Sequence, residues 1–301
     1  MGLKVVGIAG KRLSLSNLEK DLYPSYGFTK AHILEYYRLI SKFILPHLKD
    51  RPVTLTRYPE GVEKGFFFEK RCPSHRPGWA KTTEVRGDKG ERRTACLVND
   101  LETLMWVENL AALELHVPLA RAGTPETPDS MVFDLDPGYP ANILDCAQVA
   151  LILRDLLSRL KLTGCVKTSG KKGLHVFVPL NRKGTTFEET KQFSKAVAEI
   201  MQKNYSDLVT SKMAKENRRA KVFINWSQND ASKTMVCVYS LRAQEKPTVS
   251  FPLAWKELEK LAAQKDPEKL LVMHSEAVRR AEKEGDLFQE VLKKKQKLPH
   301  L

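Results

Sequence analysis

The chain has 301 residues, with 50 lysines and arginines against 36 aspartates and glutamates, a formal charge of +14. Its 42% hydrophobic content is enough for one large domain or two packed lobes. The positive excess points to a polyanionic partner, nucleic acid or an anionic surface. No apolar stretch approaches a spanning length, the N-terminal "MGLKVVGIAGKRL" is too short in its apolar part for a signal peptide, and Gly2 lacks the Ser or Thr of a myristoylation signal. The five cysteines, Cys72, Cys96, Cys146, Cys165 and Cys237, form no Cys-x-x-Cys pair, and an odd, scattered set predicts free thiols in a reducing interior. Cys72 and His75 in "CPSH" offer two zinc-type ligands, but no second pair lies in reach. The expectation is a soluble intracellular protein that seeks polyanions.

In chain order, a loop leads to a helix beginning near Thr29, where Ile33, Tyr36, Tyr37, Ile40 and Phe43 share a face and Pro46 comes near the end. "RPVTLTRYPEGV" and "GFFFEKR" predict short strands joined by a Pro-Glu-Gly turn, and "EVRGDKGERRTACLV" a hairpin with a basic tip. Asp100 caps a helix expected to run through "LETLMWVENLAALELHV". "ARAGTPETPDS" is the clearest composition break, and it divides an N-terminal lobe, 1–120, from a second lobe, 121–301. Beyond it come a strand at 131–135, a helix from about 142 to 161, a strand pair at 165–180 and a helix at 187–203. The basic loop "SKMAKENRRAK", strands at 222–226 and 234–239, and helices over much of 255–296 follow. The terminal "KKKQK" is the low-complexity tract. Strands joined by hairpins, with helices between them, predict α/β layers on a mainly antiparallel sheet.

Three stretches carry groups suited to chemistry. In "SMVFDLDPGYP", Asp134 and Asp136 are two apart on a strand and so share one face. Asp, Pro and Gly also end strands for purely structural reasons. Yet Asp134 lies inside an apolar run, where an unpaired carboxylate is costly, and its same-face neighbour is another acid. A hard divalent cation, Mg²⁺ or Mn²⁺, resolves both problems and would in turn bind phosphate oxygens. In "CVKTSGKKGLHVFVPL", a strand runs into Ser169-Gly170-Lys171-Lys172-Gly173 and returns with His175 at its start. Glycines let backbone N–H groups approach an anion, although a solvated hairpin has the same composition, and the spacing is neither Walker A nor G-x-G-x-x-G. In "KVFINWSQNDASKTMVCVYSLRA", Asn225 sits in a strand as Asp134 does in its own, on the face opposite Ile224 and Trp226.

"FDLDPG", "TSGKKGLHV", "WSQNDASKT" and "YSLRA", in this order, closely resemble the polymerase domain of bacterial ligase D, of the archaeo-eukaryotic primase superfamily. "LEKDLYP", "FTKAHILEYY", "RPVTLTRYP", "FFFEK" and "LELHVPL" extend the resemblance to nearly the whole chain. It implies an α/β primase-polymerase fold of two interleaved lobes. It also implies template-directed addition of nucleoside triphosphates, ribonucleotides preferred, at DNA gaps, overhangs and breaks in non-homologous end joining. Two divalent ions, Mn²⁺ favoured over Mg²⁺, would serve as cofactors, Ku and a DNA ligase as partners, and the location would be cytoplasmic and nucleoid-associated, away from membranes. By the same resemblance Asp134 and Asp136 hold the metal ions. Ser169, Lys172 and His175 grip the phosphates of the incoming nucleotide, with His116, Lys233 and Arg242 completing that set. Phe67 and Phe68 look like the aromatics that stack on the template strand, and Asn17, Lys20 and Lys30 like the pocket for a 5′-phosphate. Arg57, the basic hairpin with Arg86, Lys89, Arg92 and Arg93, and the loop with Arg218 and Arg219 fit DNA-contacting or mobile elements.

One position departs from the family pattern. Asn225 stands where the family carries a third metal-binding aspartate; an amide oxygen can ligate a cation but brings no charge. The resemblance therefore predicts a catalytic and metal trio of Asp134, Asp136 and Asn225 that binds nucleotide and catalyses poorly. Two other readings stand beside it. A DNA-end-binding module with a decayed site explains the charge and Asn225, but not an intact nucleotide pocket. An Asp-x-Asp phosphatase would continue with Thr or Val, and here the continuation is Pro-Gly.

Overall fold

The computed structural model describes residues 4–8, 10–86 and 90–299, so Lys89 and most of its hairpin tip lie outside the described residues. The chain divides into two compact units. The first comprises Met1–Pro118, Thr234–Ser250 and Met273–Gly285; the second comprises Leu119–Lys233, Phe251–Val272 and Asp286–Leu301. The chain passes between them at Pro118 and then returns, which interleaves the two in sequence.

The first unit opens with a hairpin of β1 (Lys4–Ile8) and β2 (Lys11–Leu15), then the short pair β3 (Asp21–Tyr23) and β4 (Phe28–Thr29). Helix α1 (Lys30–Leu48) follows, its start closed by a reciprocal cap between Thr29 and His32, and it buries the expected face of Ile33, Tyr36, Tyr37 and Ile40. Strands β5 (Pro52–Arg57), β6 (Phe67–Glu69), β7 (Thr82–Arg86) and β8 (Arg92–Leu97) precede helix α2 (Leu101–Asn109), capped by Asp100 through the Thr103 amide. Strand β9 (Ala112–Val117) completes this part. Here the structure corrects the sequence expectation of one helix through Val117. Ala111 takes a left-handed φ of 59°, which ends the helix, and "ALELHV" pairs with β5 as a strand. Alternation of period two was present but lay hidden behind a helix-like start.

The cysteines correct a second expectation. Cys72 and Cys96 form a disulfide across 24 residues, so they are neither free thiols nor half of a zinc site. The Cys72 amide donates to the Thr94 carbonyl, which places Cys72 beside β8; tertiary pairing brings together what spacing left apart. Cys146 and Cys237 are buried and free, and Cys165 is partly exposed.

The second unit is built on β10 (Ser130–Pro137), α3 (Ile143–Arg159), β11 (Cys165–Thr168), β12 (Leu174–Pro179), α4 (Phe187–Asn204), β13 (Val209–Thr210) and β14 (Val222–Asn225). The chain then visits the first unit as β15 (Met235–Val236), β16 (Leu241–Arg242) and β17 (Thr248–Val249). It returns to the second as β18 (Pro252–Leu253) and α5 (Trp255–Ala263), gives the first α6 (His274–Glu284), and ends in the second with α7 (Glu290–Lys293). The sheet of the second unit runs β13-β14-β10-β12-β11-β18, antiparallel except for β13 with β14; that of the first runs β15-β9-β5-β8-β7, with β6 also on β5. Both sheets are mainly antiparallel, as the hairpin pattern predicts. Among the described residues no helix is long and apolar enough to cross a membrane.

The terminal "KKKQK" is more than a charged tail. Gln296 is buried, accepts from the Thr163 amide at 2.7 Å, and donates to the carbonyls of Thr163 at 3.0 Å and Pro179 at 2.9 Å. Its own amide bonds to Leu180, so one side chain ties the chain end to the strand pair that carries the Gly-Lys hairpin. Replacing it strands buried backbone groups. Gln296→Ala is expected to lower stability by about 2–3 kcal/mol, read as a fall in Tm, whereas Lys295→Ala beside it leaves Tm unchanged.

Candidate active site

Strand β10 lies between β12 and β14, and the registers place two residues directly across from Asp134: His175 on β12 and Asn225 on β14. Across β12 in turn, Lys167 on β11 faces His175. Four side chains thus form one row over four strands. Lys167 Nζ lies 2.8 Å from His175 Nδ1, His175 Nε2 lies 3.3 Å from Asp134 Oδ1, and Asn225 Nδ2 donates to Asp134 Oδ2 at 3.2 Å. Gln228 adds a second amide donor to Oδ2 at 3.4 Å. Burial by itself would raise the pKa of Asp134. The His175 hydrogen bond and charge, with the two amides, outweigh it and hold Asp134 below its ordinary range. Asp136, on the same face, goes the other way: burial first and the Asp134 charge second push it up to about 6, against the pull of Lys172 and Arg218. Two neighbouring carboxyls with pKa values driven apart mark a site where a cation would be stabilising.

Glycines fit the turns to this edge. A Cβ on Gly173 would stand 2.3 Å from the Leu135 carbonyl, and one on Gly138 would overlap the Arg218 carbonyl at 1.9 Å. The hairpin after β11 is organised by Ser169, whose Oγ accepts from the amides of Lys171 at 3.2 Å and Gly173 at 3.1 Å. Lys172 is exposed at the tip, and its charge reaches Asp136. On the other side, Lys233 Nζ donates to Ser227 Oγ and Ser227 donates to Asn225 Oδ1, both at 2.8 Å. A hydroxyl has one proton, so this relay fixes the amide with its nitrogen towards Asp134. Asn229, fully buried, exchanges hydrogen bonds with both backbone groups of Val132 and locks the turn onto β10. Ser227, Gln228 and Asn229 were not singled out in the sequence; the only trace there was a turn unusually rich in amides.

For a hard divalent ion, Asp134 and Asp136 supply suitable oxygens on one face. The third oxygen is lacking as the site stands, because Asn225 presents N–H; among the described residues no group of three His, Cys, Asp or Glu could hold a metal ion. By type the two carboxyls suit a hard cation, and among the described residues no third acid joins them.

In the first unit, His116 on β9 and Arg242 on β16 meet at Glu114, with His116 Nε2 at 3.0 Å and Arg242 Nε at 3.1 Å. Asn17, Lys20 and Lys30 line one cavity of about 270 Å³, joined by Ser16 and Arg57. Lys30 is buried there, donates to the Ser16 carbonyl at 2.7 Å, and has its pKa lowered to about 8 by burial and then by the charges of Lys20 and Arg57. Crowded cations of this kind suit an anion. Phe67 and Phe68 are 45% and 58% exposed on the edge strand β6, so they are not core, and they line a cleft of about 730 Å³ with Lys70, Arg71 and Arg76. Arg57 sits over the Phe67 ring at 5.1 Å. Arg86 and Arg92 face each other at the hairpin end, with Arg93 adjoining. Arg218 stacks on Phe223 at 3.8 Å, and Arg219 is exposed.

Antiparallel sheets flanked by helices, with paired carboxyls on one strand and a Gly-Lys hairpin beside them, make this a mixed α/β protein with an acidic, anion-facing edge. Residues 29–288 match the family described as the LigD primase-polymerase domain. The LigD proteins of Mycobacterium bovis and Mycobacterium tuberculosis, multifunctional non-homologous end joining proteins, are 37% identical over 93% of the chain, and that of Bacillus subtilis 34% over 82%. The solved polymerase domain of Mycobacterium tuberculosis ligase D in complex with DNA superposes with a TM-score of 0.86 at 36% identity, over 93% of this chain and 98% of that one. The chain belongs to the LigD primase-polymerase domain family, a domain of proteins of non-homologous end joining. It spans 37% of the mycobacterial relatives and 40% of the Bacillus subtilis one.

The raised pKa of Asp136 has a consequence for stability. The folded carboxyl keeps its proton to about pH 6, whereas an unfolded one releases it near 3.8. Stability is therefore lost as pH rises between those values and stays lost above them. In chelator, Asp136→Asn is expected to stabilise the protein by about 1–3 kcal/mol at pH 8 and to make little difference at pH 4. Thermal unfolding of the two proteins at both pH values checks this.

Proposed function

We propose that the chain is a template-directed nucleotidyltransferase that adds nucleotides at DNA gaps and broken ends, with its chemical step weakened by Asn225. The observation that carries the reading is the same-face pair Asp134 and Asp136, held beside a hairpin whose amides are organised by Ser169. Asp134 and Asp136 are the residues that would hold the divalent ions, Mn²⁺ or Mg²⁺. Such ions, when bound, supply charge neutralisation for the triphosphate and a lowered pKa for the primer 3′-OH. Lys172 and the hairpin amides bind phosphate, and Lys233 adds a cation whose pKa is lowered by burial. The cavity of Asn17, Lys20 and Lys30 takes a 5′-phosphate, and Phe67 and Phe68 offer sequence-tolerant stacking for a template base. The +14 charge favours DNA through counterion release, so affinity falls steeply with salt. Likeness to a polymerase domain solved with DNA and to end-joining proteins supports the DNA partner; Ku and a DNA ligase are proposed beside it on the resemblance of the sequence motifs.

Asn225 is the reason for expecting a slow enzyme. Its Nδ2 already satisfies Asp134, whereas an aspartate there would set an anionic oxygen at that distance and call for a cation. Asn225→Asp is expected to raise extension of a primer on a 5′-phosphorylated gapped duplex under Mn²⁺ by about 10–100-fold. Equal activity of the two proteins would remove Asn225 from the site. A chain that binds the gapped duplex but gains no affinity from nucleoside triphosphate, and never extends, would instead be an end-binding module.

A further inference from the structure

The lysine-rich stretch at the chain end has been given no role, and its anchoring sets it apart from a solvated tail. Helix α7 stops at Lys293, and Lys294 takes an extended conformation. Gln296 is buried, while Lys295 and Lys297 on either side of it are exposed, as alternation in an extended chain requires. The Gln296 side chain holds the stretch to Thr163 and Pro179, and its backbone amide donates to the Leu180 carbonyl at 3.1 Å. Asn181 adds two bonds from the other side, donating from Nδ2 to the carbonyls of Val291 at 3.0 Å and Lys294 at 2.8 Å. The turn after β12 and the chain end are thus one hydrogen-bonded piece.

Beside that piece and helix α4 lies a cleft of about 450 Å³, lined only by residues of the second unit. Arg182 and Lys183 from the turn and Lys297 from the chain end bring cations to its wall, and Phe193 and Leu298 add apolar surface. Among the described residues none of the three cations pairs with an acid. Glu189 also lines the cleft, but its carboxylate accepts from the amide and the hydroxyl of Thr186, at 2.7 and 3.1 Å. Three cations against one committed acid favour a polyanion. Phe193 is only 6% exposed, so this cleft offers no free ring on which the bases of a single strand could stack. What it offers is charge for a phosphate backbone, and a duplex carries one negative charge per about 1.7 Å of its axis. Strand β12 runs from the Gly-Lys hairpin to this turn in six residues, about 20 Å, a length that a duplex covers in about six base pairs.

We propose that this cleft is a contact surface for duplex DNA, where Arg182, Lys183 and Lys297 hold the phosphate backbone without reading sequence. The inference rests on the reading of DNA as the partner, and adds a surface to it. Gln296 and Asn181 act here by fixing the main chain beforehand, so that less ordering is required when the duplex arrives.

The test measures affinity for an intact duplex with 5′-hydroxyl ends, without nucleotide, over a range of salt. Arg182→Ala, Lys183→Ala and Lys297→Ala together are expected to weaken binding about 10–100-fold at about 0.1 M salt, and to flatten the slope of log K against log salt by about 2–3. Arg159→Ala, Lys203→Ala and Lys265→Ala together remove as much charge elsewhere on the second unit and should keep affinity within about threefold. All six side chains are exposed, so Tm is expected to hold in both variants. Equal weakening in the two variants would overturn the proposal, because net charge and not this cleft would then carry the effect. Unchanged affinity and slope in the first variant would overturn it too. So would binding to phosphatidylglycerol vesicles that the first variant loses while its duplex affinity stays intact, which would assign the cleft to a lipid surface. An unaltered chain that binds a gapped duplex but no intact one would remove this cleft alone. One that binds neither would overturn the reading of DNA as the partner, and this inference with it.

Discussion

The site depends on one row of side chains, Lys167–His175–Asp134–Asn225, laid across four strands at matched registers. Each member is buried or partly buried, and each is satisfied by a neighbour on the next strand. A carboxylate removed from water costs several kcal/mol unless it is paired and hydrogen-bonded, so Asp134 is affordable only because the row exists. Asp136 lacks such a row. It stands on the same face with its proton held to about pH 6, an acid awaiting a positive partner. The asymmetry between these two carboxyls is the chemical content of the edge.

The row also explains why Asn225 fits so quietly. Lys233, Ser227 and Asn225 form a relay in which each donor has one acceptor, ending on Asp134. An amide closes that relay without charge. The hydrogen bonds that reach Asp134 from this side are thus closed by protein groups, with the amide nitrogen of Asn225 as the last donor. Function at such a site ordinarily means tolerating repulsion that a bound ion relieves, and stability improves when the repulsion is removed.

Much of this was legible in the residues. Period-two acids in "FDLDP", the Gly-Lys hairpin and the face of α1 are local patterns, and they appear where expected. The misreadings were non-local. "LETLMWVENLAALELHV" begins as a helix, but its second half pairs with β5, and partner strands override local propensity. With that half taken as helix, Glu114 and His116 appeared three turns into a helix rather than two apart on a strand, and their shared face went unseen. The link between Cys72 and Cys96, and the burial of Gln296 inside a lysine tract, depend on neighbours that spacing does not name.

By itself the sequence determined which groups were available: two acids on one strand face, a hairpin able to offer amides to an anion, a cationic surface and three consecutive phenylalanines. Alternation and turn chemistry are set within a few residues, so these survive reading in one dimension. Only the tertiary structure decided that His175 and Asn225 both lie opposite Asp134, and that the amide of Asn225 turns its nitrogen inward across 91 residues of chain. Register between distant strands is a property of how whole faces pack, and a one-residue slip would send the same side chains to the other side of the sheet.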